Sequence, residues 1–122
     1  ETVESRIGEV RRACGDRAVL RALHYYDENA RVLEQAAAIR GGDLPAFFDA
    51  VNRSGESSWK LLQNVYARPT EEQMAMGIEL SRRFLHGDGA QRVHGGGFAG
   101  QFLSAVRPAA TAPDDTSTTR RP

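Results

Sequence analysis

The chain has 122 residues, enough for one domain with one modest core and too few for two. Its 16 Lys and Arg balance 16 Asp and Glu, so no net field points to nucleic acid or an anionic membrane as partner. A single cysteine, Cys14, excludes an internal disulfide framework and suits a reducing cytoplasm. No apolar run approaches the roughly 20 residues of a membrane span, and the mixed-charge start "ETVESRIGEV" lacks a signal-peptide centre. The chain opens on Glu1 rather than Met, as a processed chain or a piece of a longer one does.

From the N-terminus, Val3, Ile7 and Val10 share one face of a weak helix over 3–13. Gly15 reads as its stop and Asp16 as the next N-cap. A long helix over 17–40 follows, with Val19, Leu20, Leu23, Tyr26, Ala30, Leu33 and Ala37 as one apolar stripe. Gly41 and Gly42 end it with positive φ. Asp43 caps a third helix, with Pro45 in its first turn, and Phe47, Phe48, Val51, Leu61, Leu62 and Val65 carry the period to Tyr66. Gly55 interrupts that helix at about 1 kcal/mol relative to Ala, marking either a kink or the approach of another backbone. Thr70 with Gln73 fits a capping box for a fourth helix reaching Leu85, with Met74, Ile78 and Phe84 apolar. A strand, Ala90 to His94, then leads into a glycine-rich run, after which Gln101 to Val106 reads as a second strand or a short helix. From Arg107 onward no large apolar residue occurs, so residues 108–122 are expected to be a disordered tail following a domain over 1–107.

The run "HGGGFAGQ" concentrates Gly95, Gly96, Gly97 and Gly100 around Phe98. Glycines at that density serve a turn, or a backbone that must come close to another group, often a phosphate. Gly95, Gly97 and Gly100 match G-x-G-x-x-G, but the second parallel strand and the acidic residue of a dinucleotide fold are missing. A Walker loop is excluded because no Gly-Lys-Ser/Thr follows. A hairpin turn without ligand is the plain alternative.

Two segments in order, "ENARV" at Glu28 to Val32 and "GAQRVHGGGFAGQ" at Gly89 to Gln101, resemble the C-terminal domain of a galactokinase. That enzyme belongs to the small-molecule kinase family that also covers homoserine, mevalonate and phosphomevalonate kinases. The second segment is similar to that family's third motif, G-A-R-x-T-G-G-G-F-G-G-C, with His94 in place of Thr, Ala99 of Gly and Gln101 of Cys. Ser54-Gly55 falls where many galactokinases carry Ser-His. The resemblance spans residues 15–106 and implies an α+β fold, about four helices on a small antiparallel sheet. It implies transfer of the ATP γ-phosphoryl to a sugar, galactose by preference, with Mg2+ bridging the phosphates. Gly95, Gly96, Gly97, Phe98 and Gly100 would then line the nucleotide-phosphate pocket. The family's phosphate loop, catalytic aspartate and most sugar contacts lie in an N-terminal kinase domain, the partner this chain would need, and no catalytic residue is expected within it. A helical protein-interaction module without enzymatic activity is the competing expectation.

The remaining polar residues give weaker signals. His24, His86 and His94 fit no metal-ligand spacing, although His94 abuts the glycine run. Arg92 is expected to meet a phosphate or a neighbouring carboxylate. Adjacent Asp27 and Glu28 diverge on a helix and read as a solvated face, Trp59 reads as interface packing, and Ser57 and Ser58 show no nucleophile partner.

Overall fold

A computed structural model describes residues 2–65, 68–93 and 102–106, the last five in their main chain only. Among them the chain is mostly helical. A 3-10 turn, Glu4–Arg6, leads into helix α1, Ile7–Cys14. Gly15 ends α1 at φ 83° while its N–H still donates to the Arg11 carbonyl at 2.9 Å. Helix α2, Asp16–Gly41, begins at the next residue, so Asp16 is helical and not the cap; its carboxylate accepts from Arg11 Nε at 2.5 Å instead.

At the far end of α2 only Gly42 takes the left-handed conformation, at φ 67°, while Gly41 stays helical. The Asp43 N–H reaches back to the Ala38 carbonyl at 2.9 Å and Gly42 N–H to Ile39 at 3.1 Å, closing the last turn. Helix α3, Leu44–Ser57, starts as expected, with the Asp43 carboxylate accepting from Ala46 N–H at 3.0 Å and Pro45 in the first turn. It passes through Gly55 unbroken and widens into a π-helical turn, Ser58–Leu62. Gln63 closes that turn with its N–H on the Ser58 carbonyl and leaves it at φ 56°, so the helix stops short of Tyr66.

Helix α4, Gln73–Leu85, lacks the expected capping box: Glu72 occupies the N-cap position and no side chain caps the end. His86 and Gly87, both at positive φ, turn the chain into strand β1, Gly89–Val93. It pairs antiparallel with β2, Phe102–Val106, from Gly89 opposite Val106 to Val93 opposite Phe102. The second segment is therefore a strand.

Two small apolar clusters hold β1 between helices. Ala90 packs with Phe48 and Val51 of α3, and Val93 with Met74, Ala75 and Ile78 of α4 together with Val65 and Trp59. Trp59 is thus a packing residue, as expected. The apolar stripe of α2 does not form that core. Val19 is buried, but Tyr26 is 61% exposed, Leu33 is 70% exposed, and Ala30 and Ala37 also face outward. Helix α2 turns His24, Arg31 and Ala38 inward instead. The reason lies in the opposing face of α3, where buried Ser54 and Ser57 accept polar partners that a leucine row would leave unsatisfied. On α4, Met74 and Ile78 are buried as expected, whereas Phe84 is 84% exposed.

Candidate functional site

The inward residues of α2 recur at helical spacing, and with Glu28 between His24 and Arg31 they form a polar seam facing α3. Glu28 is the hub of that seam, and not the solvated residue its neighbour Asp27 is. One carboxylate oxygen accepts from Arg31 Nε at 2.9 Å; the other accepts from the Ser54 hydroxyl and from Arg92 Nη1 at 3.1 Å. Arg92 Nη1 also lies 2.5 Å from Ser54 Oγ, and its Nε donates to the Val93 carbonyl at 3.1 Å. Of the two partners expected for Arg92, the carboxylate is the one present.

Two guanidiniums, those of Arg31 and Arg92, converge on the one carboxylate. Burial alone would raise the Glu28 carboxyl. Hydrogen bonds from Ser54 and Arg31, and the charges of Arg92 and Arg31, outweigh it and hold Glu28 below its ordinary range. His24 sits at the other end of the seam with Nδ1 2.9 Å from Ser57 Oγ. Burial lowers its pKa, with the charges of Arg31 and Arg92 adding to the effect and those of Glu28 and Asp27 opposing it. Ser57 therefore does have a histidine partner, 33 positions away in sequence. The pair lies within the α2–α3 packing, with both residues buried, which gives it a structural role.

Gly55 allows this approach. A Cβ there would stand 2.9 Å from the Gln91 carbonyl oxygen and 3.2 Å from Arg92 Cβ. Of the two readings of Gly55, close backbone approach is the one realised. One turn earlier, the Asn52 amide accepts from Gln91 N–H at 3.1 Å and donates to the Gly89 carbonyl at 3.3 Å. It thereby satisfies main-chain groups of β1 with a side chain, where a further strand would otherwise pair.

A second feature opens where α3, the π-helical turn, α4 and β1 meet, a cleft of about 460 Å³. Trp59, Ile78 and Val93 give it apolar walls, and Gln91 and Asn52 polar ones. Gln91 is only 7% exposed, and its Oε1 has no hydrogen-bond partner among the described residues. At the rim, Glu79 accepts from Arg82 at 2.7 and 2.8 Å and from Arg83 Nε at 2.7 Å. Hydrogen bonds from these two guanidiniums pull its carboxyl down to about 2.

The glycine-run residues Gly95, Gly96, Gly97, Phe98 and Gly100, with His94, lie outside the described residues, as does the tail over 108–122. Val93 and Phe102, the described residues that flank the run, are partners in the ladder. Sequence reasoning missed Gln91 and Asn52, whose partners lie 37 and 39 positions away, where no local pattern reaches. Glu28 had a signal in the ENARV resemblance but not in its charge pattern. Among the described residues no cluster of histidine, cysteine or carboxylate side chains is placed to hold a metal ion, and no helix is long and apolar enough to cross a membrane. Comparison with models of protein families, with curated proteins and with solved structures finds no match to the chain.

Proposed function

We propose that the chain is the C-terminal part of an ATP-dependent sugar kinase of the galactokinase type, with the α+β architecture of that family. In this reading Gly95, Gly96, Gly97, Phe98 and Gly100 line the nucleotide-phosphate pocket, and the reactive groups belong to an N-terminal domain outside these residues. One observation carries it. The two segments that bear the resemblance converge, since Glu28 of ENARV and Arg92 of the glycine motif meet, together with Ser54, in one hydrogen-bonded cluster.

That convergence gives the seam a task the reading requires. Arg92 stands three residues before Gly95, tied to α2 and α3, so the strand leading towards the run is fixed in place. In this reading the glycine run, free of side chains, offers its main-chain N–H groups to an anion such as a nucleotide phosphate. In this reading Mg2+ is held by the phosphates of ATP and by the N-terminal domain. When bound, ATP with Mg2+ supplies the phosphoryl group and the neutralising charge; this chain positions one wall of the pocket.

The competing reading, a helical interaction module, draws on the outward apolar rows of α2 and α4. An assay separates the two. The complete gene product containing these residues is expected to phosphorylate galactose or a related sugar with ATP and Mg2+, and the isolated 122 residues are not. Turnover by the isolated chain, or none by the complete product across a panel of sugars, overturns the kinase reading.

A further inference from the structure

The solvent side of α2 carries a patch that neither the seam nor the glycine run explains. Away from the inward residues of that helix, Tyr25, Tyr26, Val32, Leu33 and Ile39 are each more than half exposed. At helical spacing these five fall within an arc of about 140°. The charged residues on that arc, Arg21 and Arg40, stand at its two ends, where long stems keep their heads in water. Together the five expose on the order of 600 Å², so two copies face to face bury about 1,200 Å², where specific interfaces begin.

A face pairs with its own copy across a two-fold axis only when it is self-complementary. This one reads alike in both directions from Asn29, near the midpoint of α2. Tyr25 and Tyr26 stand about one turn before Asn29, and Val32 and Leu33 about one turn after it. Ala22 and Ala36, seven residues to either side, keep the middle of the face low between those rows. In an antiparallel pair Tyr25 falls against Val32 of the second copy, Tyr26 against Leu33, and the two Asn29 side chains meet at the axis. An apolar partner would leave the Asn29 amide without hydrogen bonds. A second Asn29 satisfies it, because each amide both donates and accepts.

We propose that a second copy of this chain covers the outer face of α2, forming a two-fold antiparallel helix pair centred on Asn29. The inference goes beyond the kinase reading and uses no residue of the glycine run. By light scattering the 122-residue chain is expected to show twice its monomer mass. Asn29→Lys, at an exposed position, sets two like charges together at the axis and should give the monomer mass with unaltered circular dichroism. Phe84→Lys, on α4, should keep the dimer. Cross-linking in a Cys14→Ser background reads the geometry: Asn29→Cys should join two copies on oxidation. Ala36→Cys should not, because an antiparallel pair holds the two copies of residue 36 about 20 Å apart. A monomeric chain, a dimer that survives Asn29→Lys, or cross-linking at residue 36 overturns the proposal. So does a complete gene product that lacks the Asn29→Cys cross-link, in which case another domain covers the face. Gly97→Ala should leave the cross-link unmoved, which separates its outcome from that of the kinase reading.

Discussion

Gly55 and Gly8 both sit inside helices, yet their surroundings predict opposite responses to a methyl group. At Gly55 a Cβ meets the Gln91 carbonyl oxygen at 2.9 Å, and a backbone atom in a paired strand does not yield easily. Gly55→Ala should destabilise the chain by about 1–3 kcal/mol, the overpacking cost exceeding the gain in helix propensity. At Gly8 the nearest atom is the mobile end of Arg12 at 3.6 Å, so Gly8→Ala should stabilise by up to about 1 kcal/mol. Urea unfolding of both variants checks the pair; a stabilising Gly55→Ala would mean that α3 and β1 stand further apart than described. Sequence alone narrowed Gly55 to two meanings. The deciding atom, the Gln91 carbonyl, lies 36 positions away, and nothing near residue 55 announces it.

Among the elements, the ends of α2 and α3 were the most legible, because a cap is a local arrangement. Gly42, Asp43 and Pro45 act within a few residues of themselves, and the structure uses all three. The face of α2 was not legible. Periodicity identifies an apolar stripe but not which side of the helix meets the next element, and here His24, Glu28 and Arg31 win because Ser54 and Ser57 stand opposite. That seam makes the α2–α3 packing sensitive to acid. His24 has a lowered pKa when folded, so the unfolded chain takes up its proton first, and stability should begin to fall as pH drops below about 6.5. Glu28 is also lowered; its contribution is complete above the ordinary carboxylate pKa of about 4.3 and is lost as pH falls through the lower folded value. Denaturant midpoints across that range should fall in two stages, and Glu28→Gln should shrink the lower one, to which Glu79 also contributes. A midpoint independent of pH between 7 and about 4 would contradict the seam as described.

For the molecule as a whole, the core is thin and the outer faces are apolar. Tyr25, Val32 and Ile39 recur every seventh residue on α2 and stay exposed beside Leu33, while Met76, Leu80 and Phe84 line α4. Exposed rows of this kind favour association. The isolated chain is therefore expected to elute larger than a monomer in size-exclusion chromatography, and Leu33→Lys with Phe84→Lys should shift it towards one. A monomeric unaltered chain would show that these rows need no cover. The galactokinase-type reading places the rest of an enzyme around this domain, and its sharpest test compares two glycines in the complete gene product. Gly97→Ala adds a methyl to the run assigned to the nucleotide pocket. Gly42→Ala adds one at φ 67°, in a helix-ending turn with no atom near its Cβ, and should cost about 1 kcal/mol of stability without touching ATP. The measurement is the Michaelis constant for ATP of both variants: the account predicts a marked rise for Gly97→Ala and none for Gly42→Ala, and equal values for the two would contradict it.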